Sequence, residues 1–193
     1  MTAIDYRAYY HLERYVFHEV SAHYREAGQL TAFDFFCIVI WKANRSKSRV
    51  ANRLLAQGFT DLESAVSALT RSLATAPDDK ERLRILMDGW GLRLPMASAI
   101  LTVLYPESFT VYDVRVCDVL GDFRTTQYRT DFEALWDEYQ RFMAAVHAAV
   151  NEAYDLRDKD RWLWGKSFCQ RLELEADLSS QFRRARDEHA REP

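Results

Sequence analysis

GWGLRLPMASAILTVLYPESFTVYDVRVCDVL, residues 89–120, carries the densest run of helix start and stop signals in the chain. It opens on a Gly-Trp-Gly turn, enters a small-residue helix started by Pro95, closes a loop at Pro106 and brings Asp113 to the mouth of another helix. Proline is tolerated in a first helical turn because the N–H it lacks would have no partner there. Aspartate is favoured at a helix start because its carboxylate accepts from a free N–H, so Asp113 reads first as an ordinary N-cap for Val114 to Leu120. A glycine turn and a helix start both present N–H groups to an anion. The stretch predicts an anion-holding turn, formed by Gly89, Trp90 and Gly91, close to a carboxylate.

Helical signals continue on both sides. Towards the N-terminus, Asp78 and Asp79 open a helix that Gly89 ends, and Thr60-Asp61-Leu62-Glu63 forms a capping box for one that stops before Pro77. Ser46 caps a helix running to Gly58, and Thr31 with Asp34 caps one from Ala32 to about Ala43. The FDFFCIVIW of that last helix is apolar nearly all round, which places it at a buried centre. A first helix covers about 4 to 27, with Tyr9, Leu12, Val16, Val20 and His23 at helical spacing, Gly28 as its stop, and Tyr6, Tyr9, Tyr10, Tyr15 and Phe17 as packing surface. Towards the C-terminus, Thr130-Asp131-Phe132-Glu133 is a second capping box opening a helix to about 154, and a last helix spans about 159 to 176. The mixed-charge tail 179–193 reads as a frayed helix or an interface. Strand-like alternation is nowhere sustained, and the chain has six glycines and four prolines. The expectation is an all-α fold, a single domain over 1–193 arranged as a two-lobed bundle with the site in the cleft between lobes.

Composition bounds the function. Hydrophobic residues make up 48% and charged residues 28% of 193 positions, as in a globular protein with a sizeable core. A net charge of −3 excludes a general polycation, so a nucleic-acid surface must be a local patch. Such a patch stands at Trp41-Lys42-Ala43-Asn44-Arg45-Ser46-Lys47-Ser48-Arg49 and continues to Arg53, with five basic residues and no acidic one. It reads either as a solvated helix face or as a phosphate-binding surface. Cys37, Cys117 and Cys169 are far apart with no CxxC pair, and read as reduced core thiols of a cytoplasmic protein. His11, His18, His23, His147 and His189 show no ligand spacing, so neither metal nor cofactor is expected. No apolar run is long enough to span a bilayer, and a monomer without membrane contact is the expectation.

The order of hairpin glycine, Ala-Ser-Ala helix, about a dozen residues and Val-Tyr-Asp-Val-Arg resembles the core of the helix-hairpin-helix DNA glycosylases, relatives of endonuclease III and the oxoguanine glycosylases. The resemblance implies a helix-hairpin-helix motif at about 86–120 that holds DNA backbone, a base flipped into a pocket, and Asp113 as the catalytic carboxylate set against the sugar. Aligned on Ala97, the first hairpin glycine falls on Gly91 and the second on Arg93, so Gly89, Gly91 and Arg93 are the expected phosphate contacts. Pro95 takes the place of the Schiff-base lysine, which implies hydrolysis without strand cleavage. Lys42 is the nearest substitute amine. The missing cysteine set means no iron–sulfur cluster. The turn after the first buried helix corresponds to Trp41, Lys42, Asn44 and Arg45, and with Lys47 and Arg49 it is expected to approach the DNA strand. Arg115 either holds a phosphate or pairs with Asp118. In the run from Arg157 to Lys166, Trp162 and Trp164 lie two apart and cannot share a helix face, so one is expected in the core and the other in a base pocket with Trp41. Two further classes fit the same residues: a DNA-binding module of this fold without catalysis, and a helical protein-interaction domain.

Overall fold

The computed structural model describes residues 6–189, with the side chains of Ala8 and of 175–189 outside that description. Among the described residues all regular structure is helical. In chain order the α-helices are α1 (Arg7–Tyr10), α2 (Leu12–Tyr15), α3 (Ser21–Ala27), α4 (Ala32–Ala43), α5 (Lys47–Leu55), α6 (Leu62–Ala74), α7 (Asp79–Arg84), α8 (Leu94–Leu104), α9 (Val114–Leu120), α10 (Phe132–Ala149) and α11 (Leu156–His189). Short π turns at Val16–Val20 and Ile85–Gly89 and 3-10 turns at Asn44–Ser46 and Thr126–Tyr128 join or extend them. None of the described helices is long and apolar enough to cross a membrane.

Capping explains most of the boundaries. Thr31 Oγ1 accepts the N–H of Asp34 at 3.2 Å, Asp78 Oδ1 that of Glu81 at 2.8 Å, and Asp113 Oδ1 that of Arg115 at 3.0 Å. Both expected capping boxes sit one residue further on. Asp61, not Thr60, caps α6 through the N–H of Ser64 at 2.7 Å, and Asp131, not Thr130, caps α10 through that of Ala134 at 2.7 Å. The glutamates meant to close the boxes are used elsewhere. Glu63 Oε2 accepts the N–H of Ala32 at 2.8 Å, and Glu133 pairs with Lys80 and Arg84. Ser46 makes no side-chain cap, because the chain enters α5 through a 3-10 turn, and α5 ends at Leu55 rather than Gly58.

The first helix is not one rod from about 4 to 27: residues before Tyr6 lie outside the description, His11 breaks the helix, and a π turn precedes α3. Gly28 ends α3 as expected, at φ +65°, with the Cβ of Ala74 at an ordinary contact distance of 3.8 Å from where its own would stand. Gly28→Ala is expected to lower stability by about 1 kcal/mol, as left-handed backbone disfavours a side chain; equal midpoints in urea unfolding would refute this. At the other end α10 stops at Ala149 and α11 starts at Leu156, where Asp155 Oδ1 accepts the N–H of Asp158 at 2.7 Å. The helix then runs through most of the expected tail to His189; residues 190–193 lie outside the description.

The buried apolar side chains, from Val16 to Leu163, join in one contiguous cluster. At its centre α4 packs on α8, which is buried continuously from Met96 to Leu104. α4 presents Phe35, Cys37, Ile38 and Val39 inward, while Phe33 and Ile40 face solvent. The small face of α8 also anchors the loop beyond it. Ser98 Oγ accepts the N–H of Tyr112 at 2.9 Å, the Tyr139 hydroxyl donates to the Thr110 carbonyl at 2.6 Å, and the Tyr112 hydroxyl donates to the Phe123 carbonyl at 2.5 Å. The extended segment 110–113 is thereby pinned between α8, α10 and the turn after α9. Its end is Asp113.

Candidate functional site

Asp113 opens onto a pocket of about 350 Å³ lined by Glu13, Trp41, Lys42, Val111, Asp113, Arg157, Asp160, Arg161 and Trp164. That volume lies at the small end of ligand pockets, which run about 300–1,000 Å³. Four parts of the chain meet there. α2 brings Glu13, α4 ends in Trp41 and Lys42, the pinned segment supplies Val111 and Asp113, and α11 packs along α9 to add the rest. Arg157, Asp160, Arg161 and Trp164 fall on one face of α11 because they are spaced i, i+3, i+4 and i+7.

Charges alternate around the wall. Lys42 Nζ lies 2.7 Å from Asp113 Oδ2 and 3.4 Å from the Tyr112 carbonyl. Burial pushes the Asp113 carboxyl upward, but the Lys42 ammonium and the Arg115 N–H outweigh it, and the group is held below its ordinary value. Arg157 is shared: one Nη binds Asp160 and the other Glu13 at 2.6 Å. Arg161 also reaches Glu13, at 2.9 Å, and Asp158 at 2.8 Å. Glu13 is held low by these two arginines against its own partial burial. Asp160 goes the other way. It is 2% exposed, and burial with Asp113 close by raises it to about 6, although Arg157 and Lys42 oppose the shift. Arg157 favours the ionised form of both carboxylates, but at Asp160 the cost of burial outweighs it.

The aromatic walls are braced by cations. The Arg157 guanidinium lies 4.6 Å from the Phe17 ring and 5.2 Å from the Trp41 ring. Arg115 lies 4.6 Å over Trp164, which stacks on Phe168 at 5.7 Å between centroids. Such stacking leaves two indoles at the pocket wall with limited freedom.

Of the residues singled out from sequence, Asp113, Lys42, Trp41 and Trp164 come together here, with Arg115 behind Trp164. Arg115 does not pair with Asp118, which is taken by Arg124 and, at 2.9 Å, by Arg171. Trp162 is outside the pocket: it is 45% exposed and faces Lys166. Neither tryptophan of that pair is core, since Leu163 between them is the buried one. Cys169 is exposed, whereas Cys37 and Cys117 are buried as expected. Asn44, Arg45, Lys47 and Arg49 form an exposed strip beyond Lys42, where Lys47 Nζ donates to Asn44 Oδ1 at 2.9 Å. Gly89, Gly91 and Arg93 are exposed in the turn before α8 and do not line the pocket. Gly91 stands at φ +65°, and its carbonyl accepts from Arg53 at 2.5 Å. Two of that turn's N–H groups are spent internally, Trp90 on Ile85 at 3.0 Å and Leu92 on Leu86 at 2.9 Å, which reduces the anion site expected there.

Glu13, Arg157, Asp160 and Arg161 were not singled out from sequence. The i, i+3, i+4, i+7 spacing of charge and tryptophan on α11 was the available signal; Glu13 left none.

A larger concavity of about 620 Å³ lies between α3, α4 and α6. It is open, and its buried carboxylate Asp34 is closed off by the Tyr15 hydroxyl and His23 Nδ1, each at 2.9 Å. The pocket at Asp113 is smaller but gathers three carboxylates, three cations and two indoles in one wall.

Compared with protein-family models, curated proteins and solved structures, the chain matches none.

Proposed function

We propose that this chain is a DNA N-glycosylase of the helix-hairpin-helix kind, hydrolysing the bond between a flipped base and its sugar without cleaving the strand. One observation carries the reading: a carboxylate, fixed as the N-cap of α9 and paired with Lys42, opens on a base-sized pocket walled by Trp41 and Trp164. The base enters beside these indoles, where aromatic contact offsets part of the cost of leaving the duplex. As the N-glycosidic bond breaks, positive charge develops on the sugar, and Asp113 stabilises it and takes a proton from the attacking water. Lys42 keeps Asp113 ionised, and the cap through Arg115 fixes the carboxylate's direction.

In the same reading α7, its π-turn extension, Gly91 and α8 form the hairpin, and Gly89, Gly91 and Arg93 hold one stretch of DNA backbone. The exposed strip of Asn44, Arg45, Lys47 and Arg49 takes another, across a cleft between two lobes. Lys47→Ala with Arg49→Ala is expected to lower the slope of log affinity against log salt by about 2, because each lost phosphate contact releases roughly one counterion fewer. An unchanged slope would remove this strip from the interface.

Base release from duplex and single-stranded oligonucleotides bearing oxidised, deaminated, alkylated and bulky bases tests the function, with Asp113→Asn in parallel. Release by the wild type alone, leaving an intact abasic strand, establishes the activity. Salt-sensitive binding without release would instead identify a non-catalytic DNA-binding module; neither release nor binding would favour a helical protein-interaction domain.

A further inference from the structure

A second carboxylate shares the pocket with Asp113, and its surroundings differ in kind. Asp160 stands on the inner face of α11, nearly inaccessible. Its Oδ2 accepts from Arg157, while among the described residues no hydrogen bond reaches Oδ1. One oxygen is anchored and the other is free to carry a proton.

We propose, resting on the glycosylase reading, that Asp160 is the general acid that protonates the leaving base, and that the substrates are therefore bases that are uncharged in DNA. The two roles need opposite protonation states in one site, and the pocket separates them. Asp113 has an ammonium and an N–H of its own, so it stays ionised. Asp160 is buried and stands near the Asp113 charge, which together favour its neutral form up to about pH 6 against the opposing pull of Arg157 and Lys42. The groups facing it are Lys42 from α4, Asp113 at the start of α9, Glu13 from α2, Tyr139 from α10, and Arg157 and Arg161 from its own helix. Asp113 and Glu13 are held below their ordinary values and Tyr139 is pushed above its own. Asp160 is thus the carboxyl of this wall whose titration falls nearest neutrality.

The C1′–N bond breaks with its electron pair going to the base, and the Asp160 Oδ1 proton passes to a base ring nitrogen, so the base leaves neutral. Water adds to the sugar cation and loses a proton to Asp113, and from there to solvent. Asp160 is reprotonated from solvent, and the net change is addition of one water across the glycosidic bond. A base uncharged in DNA, whether oxidised or deaminated, would otherwise have to leave as an anion. A purine made cationic by N-alkylation leaves neutral without any acid, and gains nothing from Asp160.

Single-turnover release by the full chain is to be measured between about pH 5 and 8 on duplexes carrying hypoxanthine, uracil, 8-oxoguanine or 7-methylguanine. For an uncharged lesion the wild-type rate is expected to fall about tenfold per pH unit above the Asp160 titration, and Asp160→Asn to cost about a hundredfold or more at low pH and to flatten that limb. Where 7-methylguanine is released, Asp160→Asn is expected to slow that release far less than it slows release of the uncharged lesions. A wild-type rate independent of pH on uncharged lesions, release confined to 7-methylguanine, or equal loss by the variant on both lesion classes would overturn the proposal. The wild-type profile needs no variant to fold. Absence of any release by the wild type would overturn the glycosylase reading itself, which is a different result from release without an acid limb.

Discussion

Asp113→Asn is expected to slow base release by about a thousandfold while leaving DNA affinity within a factor of a few. The amide keeps the shape of the side chain and an oxygen that can cap α9, but it carries no negative charge and accepts no proton. Removing one preorganised electrostatic partner of a transition state typically costs about 10²–10³ in rate, and loss of a general base adds to that. Binding should survive, because the exposed basic strip and the turn before α8 do not include Asp113. The alternative account, in which Asp113 is a cap and nothing more, gives the opposite pattern: an unchanged rate of release and at most a lower unfolding midpoint. Thermal unfolding and single-turnover kinetics on one preparation separate the two.

The second large effect concerns Lys42. Its side chain is 11% exposed and that of Asp113 23%, so the pair is mostly withdrawn from water. Lys42→Met is expected to destabilise the fold by about 3 kcal/mol near neutral pH, since an isolated charge in such a place costs far more than a missing bond. The sign with pH is set by the direction of the Asp113 shift. A carboxyl held below its unfolded value contributes stability above that value, here 3.8, and loses it as pH falls through the lowered one. The penalty of Lys42→Met should therefore shrink under acid, where Asp113 becomes neutral in both proteins. Adding Asp113→Asn to Lys42→Met should recover part of the loss, as no uncompensated charge remains. Strict additivity in that double-mutant cycle would mean that the 2.7 Å pair contributes nothing.

Local chemistry was readable from the chain wherever one residue decided the outcome. Thr31, Asp78 and Asp113 cap the helices they were expected to cap, and Gly28 stops α3. The capping boxes failed by one residue because Asp61 and Asp131 compete with the threonines beside them, and Glu63 and Glu133 found tertiary partners instead. The break at His11 and the length of α11 left no comparable local mark. In the pocket, Asp113, Lys42 and Trp41 were legible through their order along the chain, and Trp164 only as one of a pair with Trp162. Asp160 was not, because an aspartate between an arginine and a lysine on a helix looks like a solvated charge. Only its packing shows otherwise.

Glu13 and its partners Arg157 and Arg161 are separated by 144 and 148 positions, which sets when, as well as where, the pocket exists. A ribosome adding about 5–20 residues per second needs about 7–30 s to travel from one side of that ion pair to the other. In the closing part of that interval, once residue 113 has been made and before α11 has, α4 and α8 are available to each other, while Asp113 and Lys42 have no third wall. The nascent protein thus has most of its core in hand before its pocket, and a chain halted before α11 carries Asp113 without the wall that encloses it.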